Sequence, residues 1–214
     1  MTASTTTRPR ARRWLGRVAL AIGGLILLGV VSLLVAQRRS DGPLNDIIPG
    51  GPLRAGELVR AADTDWPAIL GDRGSCSNGE CAAMAPIELQ LVDPPTSRYV
   101  GLMVHENQLY VPCDLGFMWG RFSGSQRHVL HLIYLLKHWH QDALLDGRVV
   151  LRIDGKRYER QAVRVTDPEL TAALRSQLEE MARDWVAPEP LAAAPSESPN
   201  DIWFFRIEAR PARS

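Results

Sequence analysis

VVLRIDGKRYERQAVRV, residues 149–165, decides the fold. Val149–Ile153 and Lys156–Val165 are two runs of β-forming side chains joined by Asp154-Gly155. This is the strongest short hairpin signal in the chain, because both central residues of such a turn take positive φ. Glycine does so freely and aspartate at modest cost. Outward from this hairpin the strand signals multiply. Ile87–Val92 alternates apolar and polar side chains and stops at Asp93-Pro94-Pro95. Tyr99–His105 and Leu109–Pro112 flank Glu106-Asn107-Gln108, which predicts a second tight hairpin, and Ile202–Ile207 predicts a last, aromatic strand.

Two helices interrupt the strands. Asp167 can cap a helix start and Pro168 suits its first position. Leu170, Leu174, Leu178, Met181 and Trp185 then make one apolar stripe that must cover a sheet. A second helix is predicted from Gln126 to Leu145, with Val129, Leu132, Ile133 and Leu136 on one face and Gly147 as its stop. Ala187–Asn200, rich in Pro, Ala and Ser, is expected to be a loop. Hairpins closed by helices imply an α+β domain built on a small antiparallel barrel.

Upstream lies an uncharged run, Val18–Ala36, with Arg8, Arg10, Arg12, Arg13 and Arg17 before it and Arg38 and Arg39 after. As a helix it reaches roughly 28 Å, against a bilayer core of roughly 30 Å. A cleaved secretory signal is the alternative, but the run exceeds the usual apolar stretch of a signal and Leu34-Val35-Ala36 lacks the small-x-small cleavage pattern. The arginine bias keeps the N-terminus in the cytoplasm, which puts the remainder on the periplasmic side of an inner membrane. The expected organisation is a basic segment (1–17), a transmembrane helix (18–36), a Gly- and Pro-rich linker (37–56), a soluble domain (57–210) and a tail (211–214).

Residues 41–214 carry 18 basic against 24 acidic side chains, so the domain is about −6. Without clustered cations it is unsuited to nucleic acid. The N-terminal arginines suit anionic lipid instead. Cys76 and Cys81, separated by Ser-Asn-Gly-Glu, either close a small disulfide ring in an oxidising compartment or remain two thiols. Cys113 beside Pro112 is expected to be a small buried filler. No Gly-x-Ser-x-Gly elbow, Gly-x-x-x-x-Gly-Lys loop or Gly-x-Gly-x-x-Gly fingerprint occurs.

The order of elements from Ile87 to Arg210 resembles the split β-barrel superfamily of flavin-binding proteins, pyridoxamine-phosphate-oxidase-like and deazaflavin-dependent nitroreductase-like, and within it the membrane-anchored members. The residues that carry the resemblance are Tyr99–Leu102 with Leu109–Pro112, Lys137-His138-Trp139 with Leu144–Val149, Leu151–Tyr158, and Val165–Pro168. It implies a split antiparallel barrel, a tendency to homodimerise through barrel strands, and a cleft beside a Lys-x-Trp segment. Lys137 and Trp139 are the positions onto which a phosphate or ring contact of flavin or deazaflavin carries over. The relatives' basic strand-end motif is replaced here by Cys81-Ala82-Ala83-Met84-Ala85-Pro86, which has no cation.

Four of five histidines lie within thirteen residues, and His128, His131 and His138 fall roughly along one helical face. Neutral imidazoles so placed can ligate zinc or copper, although the spacing matches no zinc motif. His105 joins them only if the fold brings it near. Phe117–Phe122, with three aromatics, is a lid, a bilayer-touching segment or a plain core strand. Two functions follow: an envelope protein whose external split barrel binds a small ligand or protein partner, or a flavin- or deazaflavin-dependent oxidoreductase with its cleft near Lys137 and Trp139.

Overall fold

The computed structural model describes residues 9–45, 48–60, 64–77, 80–82, 84–114, 138–181 and 202–210. In chain order the elements are α1 (Pro9–Arg39), β1 (Glu57–Val59), α2 (Trp66–Leu70), β2 (Cys76–Ser77), β3 (Glu80–Cys81), β4 (Ala85–Leu91), β5 (Ser97–His105), β6 (Gln108–Asp114), α3 (Trp139–Leu145), β7 (Arg148–Ile153), β8 (Lys156–Arg164), α4 (Pro168–Met181) and β9 (Ile202–Ala209).

Six strands close on themselves in the order β8-β7-β4-β5-β6-β9, with β9 returning to β8. Every pairing in the ring is antiparallel. One edge of β8 is shared: Lys156, Arg157 and Tyr158 take the parallel β1, and Arg160–Arg164 take β9. The seam thus changes partner halfway along.

Both predicted hairpins form. Asp154 (φ 49°) and Gly155 (φ 75°) make the two-residue turn between β7 and β8. The other turn is shorter than the sequence suggested. Glu106 (φ 48°) and Asn107 (φ 61°) alone connect β5 to β6, and Gln108 already pairs with His105. In both, the paired positive φ values match the right-handed twist of the flanking strands.

Alternation along the strands builds two cores. Inward side chains such as Leu89, Leu102, Leu109, Val111, Leu151 and Phe205 fill the barrel. Outside, α4 lays Leu174, Leu178 and Met181 on Met103, Tyr110, Ile202 and Phe204, with Leu170 partly buried beside them. Asp167 Oδ1 accepts from the Glu169 amide at 2.9 Å, as a helix-start residue should. Trp185 lies outside the described residues, as do 187–200.

The second helix differs from its prediction. Within the described residues it is the short α3, ending on Asp146 in extended conformation, while 126–137 fall outside them. Gly147 does not provide a left-handed stop. A Cβ there would meet the Ala162 carbonyl oxygen at 2.5 Å, so glycine is required because the strap entering β7 passes tightly over β8.

The segment after α1 is no slack tether. Gly50 bridges Ser97, the Gly51 carbonyl accepts from Ser97 Oγ at 2.5 Å, and the Gly51 amide donates to Ser40 Oγ at 2.7 Å. The Asp41 carboxylate accepts from the Arg54 and Ala55 amides at 2.6 and 3.1 Å and from Arg152 at 2.9 Å. A Cβ on Gly51 would sit 2.5 Å from the Ser40 carbonyl and 2.6 Å from that of Gln37. Two backbones pass too closely there for any side chain, and the end of α1 is fixed to the barrel wall.

Candidate functional site

Strand register defines two ends of the barrel. At one lie the Asp154-Gly155 and Glu106-Asn107 turns, where α2 inserts Trp66 and Leu70. Trp66 meets Tyr158 edge-on at 5.5 Å, and the Arg160 guanidinium lies 5.2 Å over the Trp66 ring. Arg160, 2% exposed, donates to the Glu159 carbonyl and to Thr64 Oγ1. A shallow open depression beside it is lined by Thr64, Asp65, Trp66, Pro67 and Asn107.

The opposite end gathers the start of β5, the end of β6, the end of β8 and the start of β9, because Cys113 pairs with Trp203 and Arg164 with Phe205. α3 enters β7 here and closes the opening. Trp139 packs on Phe205 with ring centroids 5.2 Å apart, and His140 stands edge-on to Trp203, also at 5.2 Å.

Two arginines share this end. On β5 the inward file is Arg98, Val100, Leu102 and Val104, and on β8 it is Tyr158, Arg160, Ala162 and Arg164. Arg164 lies 3.8 Å over the Trp203 ring. Among the described residues, the Nε of Arg98 and the Nε of Arg164 are both buried without a hydrogen-bond partner. Burial pulls the Arg98 guanidinium below the usual arginine range, with Asp142 and then Cys113 acting in the other direction. Buried donors in folded proteins are almost always paired, so two orphan guanidinium nitrogens at one opening require an explanation.

The sequence-derived candidates distribute unevenly around this geometry. Lys137 lies outside the described residues, as do His128, His131 and Phe117–Phe122. Trp139 is 1% exposed and belongs to the barrel core. His138 is exposed at the N-cap of α3 and makes no side-chain cap bond. His105 is at the far end, with Nδ1 2.8 Å from Gln177 Oε1, so it cannot join His138. Among the described residues no three His, Cys, Asp or Glu side chains are grouped to hold a metal ion. Cys76 and Cys81 face each other across β2 and β3, Cα atoms 4.0 Å apart, and are joined by a disulfide. Cys113 is a buried thiol.

Arg98 and Arg164 escaped the sequence reading. The signal was present as charged residues in phase with the inward positions of alternating strands. On β5 it was masked because Val100–Val104 is apolar on both faces, one lining the barrel and the other, through Met103, meeting α4.

The fold is a split antiparallel β-barrel with covering helices. No protein-family model matches the chain, and no curated protein matches it. Among solved structures it is similar to a provisionally assigned pyridoxamine 5′-phosphate oxidase from Listeria innocua, at 15% identity over 68% of this chain and 91% of that one, with a TM-score of 0.37. It is also similar to an F420 reductase, at 9% identity over 70% of this chain and 96% of the other, with a TM-score of 0.33.

Proposed function

We propose that this is a single-pass inner-membrane protein that holds a split barrel against the outer surface of the membrane and binds a small ligand at the α3-closed end. The observation that carries the reading is the junction of anchor and domain. Gly16–Arg39 is long and apolar enough to cross a membrane, and none of its most apolar stretch is buried against the barrel. The residues that follow it are fixed to β5 and β7 through Ser40, Asp41 and Gly51. The Arg38 carbonyl, inside the helix, accepts from Arg54, so the helix end itself is held to the domain, which favours an uncleaved anchor. The arginine bias favours the external orientation, and the Cys76–Cys81 disulfide suits an oxidising compartment.

The flavin or deazaflavin reading depends on contacts near Lys137 and Trp139. Trp139 is packed inside the barrel against Phe205 and has no face to offer a cofactor ring. The strand-end segment Cys81–Pro86 holds no cation for a phosphate. Of the two contacts that reading names, Lys137 lies outside the described residues and Trp139 is spent on the core, so no redox step is derived.

Alkaline phosphatase fused after Ser214 tests the orientation. Active phosphatase, with a cytoplasm-dependent reporter silent at the same junction, is the expected result. The reverse pattern overturns the external assignment. The full chain purified in detergent should show no visible flavin absorption band, and a yellow protein would restore the oxidoreductase.

A further inference from the structure

We infer that the α3-closed end of the barrel is an oxyanion site in which Arg98 and Arg164 grip a phosphate group. This deepens the proposed function and rests on its choice of end.

Other arginines of the barrel spend their donors on internal partners. Arg160, on the same strand as Arg164, spends its donors on a carbonyl and a hydroxyl. Arg152 pairs with Asp41 and Glu88, and Arg148 with Asp146. Among the described residues Arg98 and Arg164 have neither a carboxylate partner within ion-pair distance nor a hydrogen-bond acceptor. Nevertheless, each Nε is removed from water. Burying an N–H donor without an acceptor is costly, and it occurs twice at this opening. A planar fork of N–H donors matches the oxygens of phosphate or carboxylate. Arg164 is held for this by its stack on Trp203, which fixes the plane of the guanidinium and leaves its edge for a ligand. Asp142 is the acid whose charge is felt at Arg98.

Position suggests where such an anion comes from. Ser97, next to Arg98, is bonded to Gly50 and Gly51, and Gly51 is bonded to Ser40 at the exit of the membrane helix. The site therefore lies beside the strap that ties the barrel to the bilayer. A phospholipid headgroup and a soluble phosphate ester present the same group to it.

The test uses the full chain in dodecyl maltoside, a detergent without phosphate, and follows thermal unfolding. Glycerol phosphate is the soluble probe and dihexanoyl-phosphatidylglycerol the lipid one. At a hundredfold excess over Kd, binding should raise Tm by about 5 °C or more. A rise with the first probe alone makes the ligand a soluble ester, and a rise with the second alone makes it a headgroup. In either case Arg98→Met and Arg164→Met should each weaken binding at least tenfold, and Arg98→Lys should recover part of it. No rise with either probe, or a rise kept in both methionine variants, overturns the site. Because the measurement is indifferent to membrane orientation, its failure is distinct from a failed phosphatase fusion.

Discussion

At the turn end of the barrel, Trp66 and Leu70 of α2 seal the opening, Arg160 has its donors met by Glu159 and Thr64, and Arg73 pairs with Asp154 at 2.7 Å. At the other end α3 supplies Trp139 and His140, but among the described residues the buried Nε atoms of Arg98 and Arg164 have no acceptor. The same barrel thus carries one opening whose arginine is satisfied internally and one where two arginine Nε groups find no acceptor among the described residues. Natural proteins concentrate such stability costs where a site is being kept ready.

If the turn end is structural, its substitutions should lower stability without touching ligand response. Trp66→Ala has the largest expected effect. It removes the plug and the ring beneath Arg160, and should cost about 3–5 kcal/mol in denaturant unfolding. Gly155→Val comes next. A Cβ there meets nothing within 4 Å, so the penalty is the φ of 75° alone, about 1–2 kcal/mol for an L-residue. A neutral result would mean the turn relaxes.

The strap offers a sharper test. The Asp41 carboxyl is held below the ordinary carboxylate range, chiefly by the Arg54 amide, with Ala55 and Arg152 adding to it against the opposing effect of burial. A depressed carboxylate contributes stability that is present above its unfolded pKa, about 3.9, and lost as pH falls through the lower folded value. Protease cleavage within residues 41–56 should therefore be slow at pH 5 and accelerate below about pH 4. Asp41→Ala should make it fast at every pH, at a cost of about 1 kcal/mol in a half-exposed setting. The smallest effect belongs to Arg73→Ala. Its pair with Asp154 is exposed on both sides and should change stability by less than about 1 kcal/mol.

The hairpins were legible because a two-residue turn demands residues that tolerate positive φ, and Asp154-Gly155 announces that locally. The α4 stripe was legible because Leu174, Leu178 and Met181 keep helical spacing. The linker was legible, but its docking was not, since Gly and Pro signal a loop in sequence whether or not its backbone is bonded to a distant strand. Closure through β8 and β9, and the parallel β1 beside them, depend on contacts between residues far apart in the chain, which no periodicity encodes. The binding end was hidden for a related reason. Arg98 and Arg164 look like surface cations until the register shows that they share a file with core residues.

The difference between the two ends is tested most directly by the thermal unfolding of ligand-free Arg98→Met in the full chain. Methionine fills the same channel without a charge to desolvate. If Arg98 is kept for a ligand, the variant should unfold a few degrees above the wild type, since a largely desolvated guanidinium whose Nε lacks an acceptor costs stability. A variant that unfolds several degrees lower would show that Arg98 holds the barrel together, and the contrast between a sealed end and a receptive one would fall.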